Sequence, residues 1–479
     1  MKLAKNLLLN TDSYKVSMFK QYPVGTTGVY SYIESRGGKY DQTLFFGLQA
    51  FIKEYLLEPI TQRDIDVAAS ILETHGEPFN REGWQYILDA HKGFLPLVIR
   101  AVPEGTVVPV SNVLVTVENT DPKCFWLTTY LETALLRAVW YPTTVATQSW
   151  TIKKVIADYL EKTGDPAGID FKLHDFGARG VSSLESAAIG GAAHLVNFMG
   201  TDTISGLLFA AEYYNAGIAG FSIPAMEHST VTSWGREKEV EAYRNMLKQF
   251  GREGSILAVV SDSYDIFNAA SKLWGEELKD EVIASGATVV IRPDSGDPVE
   301  VNVKLVQILG EKFGYTTNAK GFRVLNNVRL IQGDGINELT VRSILGAFMA
   351  MGWSADNIAF GMGGALLQIV DRDTQRFAMK CSAMSTTKLV VDGDQGTRYV
   401  ETWFDVQKDP ITDSGKKSKA GRVKLWTNSG GEFASGVTAP TGWSDKGIGG
   451  WTEALVPVYW NGNLSKEYTF DEVRANARK

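Results

Sequence analysis

The stretch VVIRPDSG, residues 289–296, decides how the chain is read. Val289, Val290 and Ile291 are β-branched and apolar without alternation, the pattern of a strand buried on both faces of a parallel sheet. The strand breaks at once into Arg292, Pro293, Asp294, Ser295 and Gly296. An arginine, a carboxylate and a glycine turn at this point put chemistry at the strand's carboxyl end. Arg292 offers the forked hydrogen bonds that suit a phosphate. Asp294, as an anion, accepts hydrogens from sugar hydroxyls. An ordinary turn with a surface ion pair would leave the same letters, so the weight falls on whether the design recurs.

It recurs on both sides. Phe171–Leu173 runs into His174, Asp175, Phe176, Gly177 and Arg179, and a small-residue helix follows from about Ser182 to Asn197. GTDT, residues 200–203, carries Asp202 and leads into an apolar helix. Ala219–Pro224 runs into Glu227, His228, Ser229 and Thr230, and Ile256–Val260 into Ser261, Asp262, Ser263 and Asp265. Beyond the opening stretch, Val328–Ile331 runs into Gln332, Gly333, Asp334 and Gly335, and Ile358–Phe360 into Gly361, Gly363 and Gly364. Strands alternating with helices imply a parallel sheet. Seven units in about 190 residues favour a closed or nearly closed α/β barrel, whose active site is built from the loops at the strand carboxyl ends.

The flanks read differently. In residues 1–170, Leu44–Leu56 has helical spacing, Leu97–Pro109 reads as strand, turn, strand, and Val113–Val117 as a strand. Phe125–Trp140 is expected to be a helix stopped before Pro142, and Gln148–Leu160 a further helix. After residue 375 the chain turns β-rich, with strands over Arg376–Cys381, Lys388–Val391 and Arg398–Phe404. A basic loop, KKSKAGR (416–422), comes next, then strand-like segments and a short helix from Phe470. The expected architecture is a barrel over 171–375 and a second, α+β domain in which 1–170 and 376–479 pack together.

The chain has 479 residues, 44 % hydrophobic and 22 % charged, enough for two or three domains and a large core. A net charge of −7 argues against non-specific nucleic-acid binding. Two cysteines, Cys124 and Cys381, exclude a disulfide scaffold and fit a reducing, cytoplasmic setting. No run approaches the ~20 apolar residues of a membrane span, and the apolar part of the N-terminus is too short for a signal peptide.

Several side chains carry chemistry or an ordinary structural role. His228, at a strand tip beside Glu227, suits a nucleophile or an acid–base group better than a purely capping or structural role, given the neighbouring polar tips. GMGG (361–364) offers backbone N–H groups to a phosphate, and equally forms a plain turn. Phe176 and Tyr14 could stack on a flat ring or pack into a core. The basic loop could hold an anion or be a solvated surface.

The motifs NTDSYKVSMFKQYP (10–23), KLHDFGARGVSS (172–183), HLVNFMGTDT (194–203), PAMEHST (224–230), VSDSYDIFN (260–268), VIRPDSG (290–296), IQGDG (331–335), IAFGMGG (358–364) and KDP…KKSKAGR (408–422) occur in this order. Together they resemble the nicotinamide phosphoribosyltransferases of the type II phosphoribosyltransferase family, over essentially the whole chain. The resemblance implies an incomplete α/β barrel with an α+β domain. It also implies a homodimer with shared active sites that joins nicotinamide to 5-phosphoribosyl 1-pyrophosphate. In that family pattern Phe176 forms one face of the nicotinamide site and Tyr14 of a second subunit the other, Asp202 accepts from the carboxamide, and Arg179 lies by the ring and pyrophosphate. Arg292, Asp294, Gly333 and Asp334 hold the ribose and phosphates, and Gly363 and Gly364 the 5′-phosphate. Arg372, Lys380 and Lys408 neutralise phosphates, and Ser261 contributes to substrate binding. His228 is phosphorylated by ATP, with Glu227 and Asp265 near it, and Mg2+ is held mainly by the substrate phosphates. Ala178 and Ala378 depart from the pattern near the ring and the nucleotide phosphates. The rival readings are a nicotinate phosphoribosyltransferase and a non-catalytic nucleotide-binding protein.

Overall fold

The computed structural model describes residues 5–392, 396–440 and 450–479. The first residues of the apolar N-terminal run, 1–4, and part of the C-terminal strand-like region, 441–449, lie outside them. The chain divides into two compact units. One comprises Met1–Thr147, Glu212–Ala216 and Asp371–Lys479, the other Gln148–Ala211 and Gly217–Val370. The terminal segments thus share a unit, and the first boundary falls at 147 rather than the expected 170.

The barrel unit holds a six-stranded parallel sheet. Its spatial order is Gly200–Thr201, Leu173–Asp175, Ile358–Met362, Val328–Gln332, Thr288–Arg292, Ile256–Val260. The expected strand over 219–224 is reduced to two parallel bridges, Phe221 to Gly200 and Ala225 to Ala258. These bridges join the segment to both edges of the sheet, so seven segments complete the ring. Proline at position 224 cannot donate to a ladder, which accounts for a seam in place of a strand. Inside the ring Ala258, Val290 and Ile331 are buried, with Phe176, Ile223 and Ala359 packed against them.

Two polar side chains fix this frame. His194 is fully buried on the helix Leu184–Leu195, with Ser149 Oγ 2.9 Å from its Nδ1. Its Nε2 lies 3.2 Å from both the Leu173 and Gly200 carbonyls, clamping two neighbouring strands. Burial pushes its pKa down to about 3, so the ring stays neutral. At the same amino-terminal ends of the strands, Lys172 donates to the Ala355, Asp356 and Ile358 carbonyls at 3.0–3.1 Å.

The other unit is built on a seven-stranded antiparallel sheet. Its order is Gly396–Asp405, Phe377–Asp392, Thr26–Ser35, Val113–Asn119, Leu97–Ala101, Val456–Trp460, Asn463–Leu464. N- and C-terminal strands therefore pair directly, Ile33 opposite Met379 and Ser35 opposite Phe377. Two expected short strands are one continuous strand, Phe377–Asp392. The two expected helices flanking Pro142 are likewise one, Glu132–Thr163, with the proline inside it. A proline in a helix interior costs roughly 3 kcal/mol. Here its ring packs on Gly47, whose φ of +107° and missing Cβ leave the space. Thr144 and Thr147 hydroxyls add bonds to the Trp140 and Thr143 carbonyls at 2.6 Å. Cys124 and Cys381 are both free. Among the described residues no helix is long and apolar enough to cross a membrane.

Candidate active site

The carboxyl ends of the barrel strands carry the chemistry, and hydrogen bonds show how each side chain is set. His228 opens the short helix His228–Thr232. Its Nε2 lies 3.0 Å from Asp262 Oδ1, and its Nδ1 4.0 Å from Asp294 Oδ2. The Asp262 side chain is only 3 % exposed. Its second oxygen accepts the Asp294 N–H at 2.9 Å and the Ser295 hydroxyl at 2.6 Å. Burial alone would raise this carboxyl's pKa. The hydrogen bonds from Ser295, His228 and the Asp294 N–H together outweigh burial and hold it below its ordinary value. One anion thus ties three strand tips together.

Beside this knot lies the aromatic floor. The Phe176 N–H donates to the Met362 carbonyl at 3.0 Å. Its ring lies directly on Gly361, where a Cβ would come within 1.9 Å of Cε2, so any larger residue would displace the ring. A Cβ on Gly333 would sit 3.4 Å from Asp294 Oδ1 and 3.5 Å from Phe176 Cε2. Ring, carboxylate and glycine backbone therefore face a common space. Arg292 ends its strand with a buried Nε that has no hydrogen-bond partner. Gly363 and Gly364 open a single helical turn, Gly364–Leu367. A Cβ on Gly364 would meet nothing within 4 Å, which leaves that backbone open to a ligand. Arg179 is exposed in the turn Ala178–Gly180, which packs on this glycine pair: a Cβ on Gly180 would lie 3.0 Å from Gly364 Cα.

Asp202 is exposed at the next tip. Its N–H donates to the Asp175 carbonyl at 2.9 Å, and its Oδ1 accepts the Ser222 hydroxyl at 2.6 Å. Among the described residues its side chain meets the Ser222 hydroxyl and no N–H of the following helix, Ile204–Tyr214. Asp175 itself is fully buried. Burial pushes its carboxyl up to about 6 against the pull of the Gly177 N–H, and the nearby Asp202 charge adds to the rise.

Other expected residues are used differently. Ser261 is fully buried, its hydroxyl spent on the Val259 carbonyl at 3.0 Å and the Trp274 indole at 3.1 Å. Asp265 caps its own helix, accepting the Phe267 and Asn268 N–H groups at 3.0 Å. Glu227 is exposed and accepts the hydroxyl of its neighbour Ser229. Asp334 is exposed, and its carbonyl accepts from Gln332 Nε2 at 2.9 Å. The carboxylate that holds His228 is Asp262, which the sequence reading passed over. The signal was present: Asp262 stands two residues beyond Val260, as Asp294 stands two beyond Arg292.

Tyr14, Arg372, Lys380 and Lys408 belong to the sheet unit. Tyr14 is 58 % exposed. Arg372 pairs with Asp373 at 2.8 Å. Lys380 has its pKa lowered, first by burial; Glu132 opposes this, and the positive Arg36, Lys15 and Lys408 add to it. These four cations form a basic group suited to a polyanion. The basic loop is largely neutralised, Lys419 by Glu34 and Arg422 by Glu118. Among the described residues of this unit, His91, Asp121 and Cys124 offer ligand atoms within 4.8 Å of one another. Asp121 is already engaged by His91, Tyr86 and the Lys123 N–H at 2.8–2.9 Å. Burial also pushes the Cys124 thiol up to about 12, which disfavours the thiolate a metal needs.

Solved structures share this fold over nearly the whole chain. Nicotinate-nucleotide pyrophosphorylase from Pyrococcus furiosus matches with a TM-score of 0.62 at 16 % identity, covering 100 % of this chain and 96 % of that one. Human nicotinic acid phosphoribosyltransferase matches with a TM-score of 0.55 at 16 % identity, covering 98 % and 93 %. The fold is thus that of the type II phosphoribosyltransferases. In sequence, residues 171–436 match the nicotinate phosphoribosyltransferase (NAPRTase) family, and residues 6–99 the nicotinamide phosphoribosyltransferase N-terminal domain. The nicotinamide phosphoribosyltransferase of Xanthomonas campestris pv. campestris is 58 % identical, with 98 % of each chain covered. Its counterpart in Acinetobacter baylyi is 33 % identical, with 98 % of this chain and 96 % of that one covered. This chain belongs to that family, as an enzyme of its nicotinamide phosphoribosyltransferase branch.

Proposed function

We infer that the chain joins nicotinamide to 5-phosphoribosyl 1-pyrophosphate, giving nicotinamide mononucleotide and pyrophosphate for NAD salvage, and that ATP hydrolysis at His228 is coupled to this transfer. The observation that carries the reading is the meeting of Phe176, Gly333 and Asp294, because a flat base and a ribose must be held within bonding distance of each other. Phe176 supports the ring, and Asp202 accepts its carboxamide N–H. Asp294 accepts ribose hydroxyls. The partnerless Arg292 N–H and the open Gly363–Gly364 backbone suit phosphate oxygens. As pyrophosphate leaves, C1 of the ribose gains oxocarbenium character while negative charge grows on the leaving group. Fixed donors that meet this charge lower the barrier. The basic group around Lys380 suits the nucleotide and pyrophosphate charges.

The donor set also fits Mg2+, a hard cation bound mainly by phosphate oxygens. The Asp294 carboxylate is 32 % exposed and could complete its shell. When bound, the ion would offset pyrophosphate charge. With Nε2 held by Asp262, Nδ1 is the His228 nitrogen that would take a phosphoryl group, and a phosphorylated His228 would set further negative oxygens beside Asp294. Turnover assays with nicotinamide and with nicotinate, each with and without ATP, test the reading. His228→Ala is expected to abolish ATP hydrolysis and leave some ATP-independent synthesis. Normal ATP hydrolysis by that variant would remove His228 from the assigned role.

A further inference from the structure

Asp262 touches no expected substrate group, yet it has the most consequential set of partners at the barrel mouth. One of its oxygens meets His228 Nε2, and the other meets the Asp294 N–H and the Ser295 hydroxyl. The first contact belongs to the ATP-reacting histidine. The second belongs to the turn whose Asp294 side chain receives the ribose. At 3 % exposure the carboxylate cannot turn to water when one partner leaves. Any change in its bond to His228 must be taken up by its bonds to the turn.

We propose that Asp262 is the positioning residue that couples the two half-reactions, orienting His228 for phosphorylation and passing the state of that histidine to the Asp294–Ser295 turn. The proposal rests on the phosphohistidine reading given above. When the ring carries a single proton, on the Nε2 that faces Asp262, its lone pair lies on Nδ1. This pair attacks the γ-phosphorus of ATP, the bond from that phosphorus to the β,γ-bridging oxygen breaks, and ADP leaves with the electron pair. The ring is then N-phosphorylated and cationic, and the Asp262 anion stabilises its remaining N–H. Hydrolysis reverses the charge: water adds to phosphorus, phosphate leaves, and the ring is neutral again. In each cycle the pull of His228 on Asp262 strengthens and relaxes. The Ser295 and Asp294 bonds to the same carboxylate respond in the opposite sense.

Two variants separate the two arms. Asp262→Asn keeps the shape but offers an N–H to His228 Nε2, which imposes the other ring tautomer. Acid-labile phosphate on the protein, measured after incubation with γ-labelled ATP, is expected to fall at least tenfold. Ser295→Ala removes the hydroxyl half of the arm to the turn and leaves the Asp294 N–H half and the His228 contact in place. It is expected to keep its labelling within twofold of wild type, while its ATP stimulation, taken as the ratio of synthesis with ATP to synthesis without, falls at least twofold. Normal labelling in Asp262→Asn, or full ATP stimulation in Ser295→Ala, overturns the proposal. If Asp262→Asn does not fold, Ser295→Ala decides alone. If wild type itself shows neither labelling nor stimulation, the phosphohistidine reading fails first and the proposal with it.

Discussion

The proposed role of Asp202, accepting the carboxamide of the base, is tested by replacing it with asparagine. The amide keeps the size of the side chain and can still accept the Ser222 hydroxyl that now sits 2.6 Å from Oδ1. It loses the negative charge. Nicotinamide presents an N–H to this position, which a carboxylate accepts, whereas nicotinate presents a second anion. Two unit charges about 4 Å apart at an effective dielectric of 20 repel by about 4 kcal/mol. Asp202 is exposed in the barrel unit, so solvent screening must be allowed for. A third of the repulsion, about 1.4 kcal/mol, still corresponds to a tenfold preference. Asp202→Asn should therefore lower the ratio of kcat/KM for nicotinamide over nicotinate by at least about tenfold. The assay is steady-state synthesis of each mononucleotide at saturating phosphoribosyl pyrophosphate, with a thermal melt as control for folding. An unchanged ratio would refute the charge argument, whatever happens to the melting temperature.

Three further outcomes are expected. Mixing inactive Tyr14→Ala and Arg292→Ala subunits should restore activity in about a quarter of sites under random pairing; no recovery despite proven heterodimers would count against shared sites. Gly361→Ala would place a methyl group within 1.9 Å of the Phe176 ring, so the ring must shift. The KM for nicotinamide should rise about tenfold, within the usual range of overpacking costs, with the KM for phosphoribosyl pyrophosphate little changed; equal rises in both would show a general distortion. Finally, the pKa of His194 lies near 3 when folded, against about 6.5 unfolded. Its contribution is complete above pH ~6.5 and declines as the pH falls towards 3, at up to ~1.4 kcal/mol per pH unit. In urea unfolding between pH 7 and 5, wild type should lose about 2 kcal/mol more than His194→Gln. Asp175, raised to about 6, acts in the opposite sense and cancels in this comparison; parallel curves would refute the neutral buried ring.

Much of the barrel was legible because each strand ends abruptly in polar residues, and such endings do not depend on distant partners. Features that depend on tertiary packing were not. Pro142 reads as a helix stop, and only Gly47 on another segment makes room for it. Thr26–Ser35 passes unnoticed as a strand, although it pairs with both Val113–Asn119 and Phe377–Asp392. At the candidate site, residue types singled out the strand tips, but which of two neighbouring acids meets the histidine depends on the folded chain. Asp262 and Asp265 differ by three positions in sequence; the first binds the histidine and the second caps a helix.

The ring of the barrel is not uniform. Six strands are laced by continuous ladders, but Phe221–Ala225 is held to each edge by a single bridge. Such a closure is the place where a barrel can breathe without losing its frame, since local opening follows the segments with fewest protected backbone bonds. Three residues beyond Ala225 the chain reaches His228. The histidine thus hangs from the most yielding stave of an otherwise rigid cask, while Asp294 and Phe176 are mounted on firm ones. On the proposed roles, freedom to meet a nucleotide and fidelity in holding a sugar would fall to different staves.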